Sequence, residues 1–404
     1  LRLAVITPFL DRRHGTERCI VEQLERFAAQ PGVEIHVYSQ RVEDLGGVVR
    51  YGSSSPGRIL WHKISAIRGP HLVGYVWWFL ANHIRRWWDN QIRGLKFDLV
   101  YTPGVNALDA DAISIHIVFH EFFLQVLPYL RLRDSPVASW PRLFHRRLYY
   151  RLIMMLERII YKRKQTSLTA ISGLVSAQLV KHFQRTDGVT IRYGVDTTRF
   201  SAALRIAQRT AIREQFQISG ERFVLLLIGN DWKKKGLTTL LSALAACREL
   251  PLILLVVGSD DRNSYEALIR TLGISDRIRF LEPSSQVIQF YAAADVYVGP
   301  SLEDAYALPI LEAMACGLPV IASSRAGASE IIRDGQNGFV LRDPENASEL
   351  TELLRKIHSD PALQVKVGEG AARTAAEHTW DRNAAATWEF LTAALARKRP
   401  EHAK

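Results

Sequence analysis

Pro300-Ser-Leu-Glu-Asp-Ala-Tyr-Ala-Leu-Pro-Ile-Leu-Glu-Ala-Met-Ala-Cys-Gly-Leu-Pro-Val-Ile321 is the stretch on which the reading of this chain turns. It reads as the end of a buried strand, a loop of small residues, a helix, a glycine break and a second buried strand. Pro309 suits the first helical turn, where its missing N–H costs nothing. Gly317 closes the helix and Pro319 follows. The amides of Ala305, Tyr306, Ala307 and Leu308 then fall at a helix N-terminus, a natural site for an anion. Asp304 lies in the loop and Glu312 within the helix. The two carboxylates are placed to grip sugar hydroxyls on either side of a diphosphate.

A second signal is Leu227-Ile-Gly-Asn-Asp-Trp-Lys-Lys-Lys-Gly236, between an apolar strand and a helix starting near Leu237. A nucleoside diphosphate leaving group gathers negative charge as its glycosidic bond breaks. Lysines at a strand end, Lys234 and Lys235, can stabilise that charge without a metal. A lysine run in an exposed loop is the plainer reading of these ten residues alone. The third signal is Arg12-Arg-His-Gly-Thr-Glu-Arg18, where Gly15 lets a backbone approach a phosphate or sugar closely.

Strands alternate with helical patterns through the whole chain. In the first half, strands are expected at Leu3–Thr7, Glu34–Ser39, Asp98–Thr102, Ala112–Phe119, Leu168–Ile171 and Val189–Tyr193. In the second they are expected at Phe223–Ile228, Leu252–Val257, Ile278–Leu281, Val296–Gly299, Val320–Ser323 and Gly338–Val340. The alternation implies parallel sheets built from βαβ crossovers. The expected fold is α/β, with two Rossmann-like domains facing each other across a ligand-holding cleft. The expected divisions are 1–194, 195–378 and a closing helix within 379–404.

The 300–321 motif resembles the donor-binding motif of the retaining glycosyltransferases of family 4, which have the GT-B fold. That family usually carries Glu, seven residues, Glu; here Asp304 takes the first place. The family's Gly-Arg and Lys-Gly appear as Gly229-Asn230 and Lys235-Gly236, a variant similar to the lipopolysaccharide core glucosyltransferases. His14-Gly15-Thr16-Glu17 stands where the family shows Gly-Gly-x-Glu. Ile191-Arg-Tyr-Gly-Val-Asp-Thr-Thr-Arg-Phe200 resembles the family's linker entry, with Tyr193 for Asn. The resemblance implies acceptor binding for 1–194 and nucleotide-sugar binding for 195–378, with Glu312 holding ribose hydroxyls and Asp304 sugar hydroxyls. Lys234, Lys235 and the 305–308 amides would neutralise the diphosphate, and the closing helix would cross back to the first domain. His116 would stand near the reacting sugar; as a lone strand histidine it reads equally as a core side chain. His120, Asp109 and Asp111 are weaker candidates. The implied reaction moves a hexose from a nucleotide diphosphate sugar, a UDP-sugar before a GDP-sugar, to a glycan or lipid-linked acceptor. No side chain stands out as a nucleophile. A nucleotide-sugar epimerase of the same architecture and an inactive sugar- or lipid-binding protein are the alternatives.

Composition sets the outer bounds. With 404 residues, 48% hydrophobic and 23% charged, the chain reads as an ordinary globular protein of two domains. Cys19, Cys247 and Cys316 have neither disulfide-framework nor metal-ligand spacing, and a cytoplasmic setting without a signal peptide is expected. Asp260-Asp261 could pass for a metal-holding pair but reads better as a polar loop. The net charge of +11 is concentrated at Arg131, Arg133, Arg142, Arg146, Arg147, Arg151, Arg158, Lys162, Arg163 and Lys164. Such a surface suits phosphates, and peripheral contact with an anionic membrane at the inner face of the plasma membrane is the partner reading; a solvated helix face is the alternative. No nucleic-acid-binding signature accompanies it. His71 to Trp88 stacks aromatics and then arginines in helical register, which suits a bilayer interface or packing on the first sheet.

Overall fold

The computed structural model describes residues 1–52, 58–130 and 139–398. Arg131 and Arg133 of the basic stretch lie outside them. The chain divides into two units, Leu1–Arg192 with Trp380–Lys404, and Tyr193–Thr379.

The second unit is built on a six-stranded parallel sheet in the spatial order Ile278–Leu281, Leu252–Val257, Phe223–Ile228, Val296–Gly299, Val320–Ser323, Phe339–Leu341. In chain order this is 3-2-1-4-5-6, the doubly wound Rossmann arrangement. The central strands Phe223–Ile228 and Leu252–Val257 are near-continuous Val, Ile and Leu runs, as expected where helices cover both faces of a sheet. Leu225, Leu227, Leu254, Val256 and Val298 form the centre of its core. The strand order reverses between Phe223–Ile228 and Val296–Gly299, so the loops leaving these two strands flank the place where such sheets take ligands.

The first unit has an eight-stranded sheet, ordered Val189–Thr190, Ser167–Ala170, Ala112–Ile115, Leu99–Pro103, Arg2–Ile6, Glu34–Ser39, Ile59–Lys63, Val48–Arg50. All its pairings are parallel. The last two of these strands are short and partly exposed, and lack a clear apolar run. The strand expected over Ala112–Phe119 stops at Ile115, and Phe119–Val126 is helical. Its cause is distant in sequence: the carboxylate of fully buried Glu157 accepts the Phe119 N–H at 2.7 Å and the His120 N–H at 3.0 Å, capping the new helix. The strand expected over Val189–Tyr193 likewise ends at Thr190.

The helix Trp380–Lys398 packs on the helix Gly15–Ala28 and shares the first unit's core through Ala384, Phe390, Leu391 and Ala394. Gln23 Nε2 donates to Asn383 Oδ1 at 2.9 Å and to Thr387 Oγ1 at 3.1 Å, a buried polar seam between the two helices.

The helix His71–Gln91 has an unusual polarity. Its buried residues are Trp78, Asn82, Arg86 and Asp89, while Val73, Val76, Trp77, Leu80, Ile84, Trp87 and Trp88 are exposed. The inward polar groups pair within the unit: Arg86 holds Asp109, and Asp89 meets His62, Tyr38 and Arg93. Packing on the sheet accounts for Trp78 but not for the exposed Trp77, Trp87 and Trp88.

Candidate active site

Two loops of the second unit, 229–236 and 300–307, leave the strands on either side of the reversal. They are bound to each other by backbone. Gly236 has φ +75°, and a Cβ there would lie 1.9 Å from the carbonyl oxygen of Pro300. Leu302 N–H donates to the carbonyl of Lys234 at 2.7 Å. Gly229, at φ +137°, leaves room for the stem of Lys235, whose Cε would be 2.9 Å from a Cβ at that position. Glycine is required at both points, for conformation and for space.

The lysine so placed forms an ion pair with Asp304 Oδ2. Their side chains are 17% and 19% exposed, so each charge is partly stripped of water and faces the other. Asp304 Oδ1 accepts the N–H of Tyr306 at 3.1 Å. The backbone of Asp304 is tied to the turn after Val320–Ser323, through Arg325 O at 3.0 Å and Gly327 N at 3.0 Å.

Ala307 adopts a left-handed conformation at φ +66°, and the helix Leu308–Ala315 begins beyond it with Pro309 in its first turn. The helix N-terminus thus starts beside the Lys235–Asp304 pair, where its dipole favours negative charge. Of the four residues proposed to supply amides, Tyr306 has its N–H on Asp304. Its ring is buried, and its hydroxyl donates to Tyr193 O at 3.2 Å.

Glu312 lies one turn into the same helix, 5% exposed, and Oε2 accepts the hydroxyl proton of buried Tyr291 at 2.8 Å. Burial and the adjacent Glu312 carboxylate push the Tyr291 phenol well above its ordinary range, so it remains a donor. Tyr291 is a site residue that the sequence did not mark, because it comes from the separate helix Ile288–Ala293.

The remaining candidates divide clearly. Lys234 lies 3.2 Å from Asp231 Oδ2 and is more exposed than Lys235. Asn230, at the family's arginine position, accepts the Ser259 N–H at 3.0 Å and its hydroxyl at 3.2 Å, fastening the loop to the neighbouring strand end. Asp260 accepts Trp232 N–H at 2.6 Å and Asp261 accepts Asn263 N–H at 3.0 Å, so both carboxylates build loops.

Gly15 and His116 belong to the first unit. Gly15 opens its helix just after His14, whose Nδ1 is 2.9 Å from Asp11 Oδ2. Burial pushes the Asp11 carboxyl up, but hydrogen bonds from His14 and Arg13 outweigh it and hold it below the usual range. His116 is buried with Nε2 2.9 Å from Ser114 Oγ, and burial lowers its pKa to about 3, keeping the ring neutral. It lines a cavity of about 470 Å³ together with Thr16 and Glu17. Asp109 is held by Arg86 at 2.8 Å, and Asp111 by Val100 N–H and Lys398, each at 2.8 Å. His120 Nδ1 lies 2.6 Å from Glu157. These three side chains are engaged in structural pairs.

Residues 208–374, within the second unit, match the family model described as glycosyl transferases group 1. The lipopolysaccharide glucosyltransferase WaaG of Escherichia coli (strain K12) is 29% identical over 229 residues, 55% of this chain and 61% of that protein. A D-inositol 3-phosphate glycosyltransferase of Streptomyces avermitilis is 32% identical over 234 residues, 54% of this chain and 50% of the relative. The chain thus spans about half to three fifths of the length of these curated relatives. In fold, a crystal structure of WaaG, a glycosyltransferase involved in lipopolysaccharide biosynthesis, matches with a TM-score of 0.75 at 21% identity, covering 96% of this chain and 99% of that one. The Anabaena Alr3699/HepE structure in complex with UDP-glucose matches with a TM-score of 0.69 at 18% identity, covering 97% and 99%. The architecture is that of the GT-B glycosyltransferases.

Proposed function

We propose that this protein is a retaining glycosyltransferase that moves a hexose from a UDP-sugar to a glycan or lipid-linked acceptor of the lipopolysaccharide type, without a metal ion. The observation that carries the reading is the Lys235–Asp304 pair, fixed between two loops at the strand-order reversal and beside the N-terminus of the helix bearing Glu312. The HepE complex with UDP-glucose supports the donor class by likeness of fold.

On this reading Glu312, held by Tyr291, binds the ribose hydroxyls, and Asp304 receives sugar hydroxyls. Lys235 turns from Asp304 toward the diphosphate as negative charge builds on it, and Lys234 adds a second, more exposed cation. The bond from the anomeric carbon to the diphosphate breaks while the acceptor oxygen bonds to that carbon from the same face. The acceptor proton passes to the departing phosphate oxygen. The test is release of UDP from UDP-glucose by the purified chain, with the product anomer read by NMR. Release that requires an acceptor, with retained configuration, supports the proposal. Conversion of the sugar without an acceptor means an epimerase, and an inverted product removes the retaining assignment.

We propose in addition that the first unit works at the cytoplasmic face of an anionic membrane. No described helix is long and apolar enough to cross one. The apolar outer face of His71–Gln91 and the exposed Trp140, Phe144 and Leu148, interleaved with Arg142, Arg146 and Arg151, suit an interfacial seat. Sedimentation with phosphatidylglycerol-containing vesicles, abolished by Ile84→Glu with Trp87→Glu, supports this; undiminished binding of that variant refutes it.

A further inference from the structure

The cavity of the first unit lies where its own sheet reverses strand order, beyond the carboxyl ends of Arg2–Ile6 and Leu99–Pro103. Phe9, Tyr75, Trp78 and Tyr149 contribute aromatic walls. The polar atoms of two of them are already used: Tyr75 Oη donates to Val105 O at 2.7 Å, and Trp78 Nε1 to Asn106 Oδ1 at 3.4 Å. These side chains therefore present ring faces and little hydrogen-bonding capacity.

The charge of the lining is equally informative. Among the described residues, no lysine or arginine lines the cavity. Besides tyrosines, its ionisable side chains are Glu17, His71 and His116. Burial pushes the Glu17 carboxyl up and keeps His116 neutral. On the helix Trp140–Tyr161, Arg142, Arg146, Arg151 and Arg158 are exposed and do not line the cavity. Among the described residues, no lining cation would replace the hydration that a phosphate surrenders in the cavity, which is strongly unfavourable. Hydroxyl groups, by contrast, find a carboxyl and an imidazole among apolar faces that suit the C–H faces of a sugar ring.

We infer that this cavity holds the acceptor as an uncharged, hydroxyl-bearing unit with apolar faces, a non-phosphorylated pyranoside, and turns away sugar phosphates. The inference rests on the glycosyltransferase reading and deepens it at the acceptor side. It separates this chain from relatives whose names state a phosphorylated acceptor, such as D-inositol 3-phosphate.

The test is calorimetric binding of a matched pair to the full chain in the presence of UDP: 4-nitrophenyl β-glucoside and its 6-phosphate. The neutral glycoside should bind at least about tenfold more tightly, a difference of about 1.4 kcal/mol. Ile117→Lys places a cation on a partly exposed wall position and should narrow the gap by a similar factor, with the fold checked by circular dichroism. Equal or tighter binding of the phosphate, binding of neither compound, or an unchanged gap in folded Ile117→Lys would overturn the inference. Preferential binding of the glycoside without any UDP release from UDP-glucose would uphold this inference while removing the transferase reading. UDP release only with the phosphorylated partner would do the reverse.

Discussion

Lys235→Met is the most revealing single change, because it removes the ammonium while keeping the stem that passes over Gly229. Two separate effects follow. If Lys235 stabilises the departing diphosphate, turnover falls by roughly 10²–10³, or about 2.7–4 kcal/mol in the barrier, the scale of losing one preorganised charge-stabilising group. Asp304 is also left without its cation, keeping only the Tyr306 N–H. Orphaning a fully buried carboxylate costs about 3–5 kcal/mol; solvent still reaches this one, so about 2 kcal/mol is the better figure. For a unit of this size that lowers Tm by roughly 4–8 °C. The double variant Lys235→Met with Asp304→Asn separates the two effects, since it leaves no unpaired charge. Its Tm should recover while its turnover stays low. UDP release and differential scanning calorimetry on the same preparations decide the matter. Wild-type turnover in folded Lys235→Met, or turnover recovering in step with Tm in the double variant, would refute the catalytic role and leave a structural ion pair.

Asp304→Glu extends the carboxylate by one C–C bond, about 1.5 Å, and should change the preference among UDP-sugars; identical kinetics across a donor panel would place Asp304 outside the sugar site. Glu312→Gln weakens a charged hydrogen bond of about 1.5–3 kcal/mol and should raise the UDP-glucose KM by roughly ten- to a hundredfold with kcat little changed, whereas an unaltered KM contradicts ribose binding. Gly236→Ala drives a Cβ onto the Pro300 carbonyl in a left-handed conformation and should cost at least about 2 kcal/mol, read as a fall in Tm; an unchanged Tm would show that the two loops are not locked together. His62 and His116 are held neutral mainly by burial, with pKa values lowered to about 3. Below the ordinary histidine value of 6.5 the unfolded chain binds protons that the native one does not. Their stabilising contribution is therefore full above about pH 6.5 and falls by up to about 1.4 kcal/mol per histidine per pH unit as the solution is acidified. Tm should decline from pH 6.5 to 4.5, less steeply in His116→Gln, and a flat profile would contradict this.

Much of the second unit was legible in its sequence because its determinants are local. Five of its strands, from Phe223–Ile228 to Val320–Ser323, are short, mainly apolar segments, and they form over the expected residues. The loop residues Gly229, Lys235, Gly236 and Asp304 could be named because they stand in the two short motifs that carry the resemblance. What escaped depends on partners far along the chain. Nothing near residue 119 indicates that Glu157 will cap a helix there, and nothing near Glu312 points to Tyr291. Lys234 and Lys235 are neighbours of one residue type, and nothing near them shows that one meets Asp231 and the other Asp304. In His71–Gln91, periodicity revealed a helix but not which side faces inward, because the buried side carries Asn82, Arg86 and Asp89.

A crystal structure of the protein with UDP bound tests the central claim most directly. The account predicts the diphosphate against Lys235 and the N-terminus of Leu308–Ala315, with the ribose on Glu312. A nucleotide seated anywhere else, with the Lys235–Asp304 pair undisturbed, would contradict it.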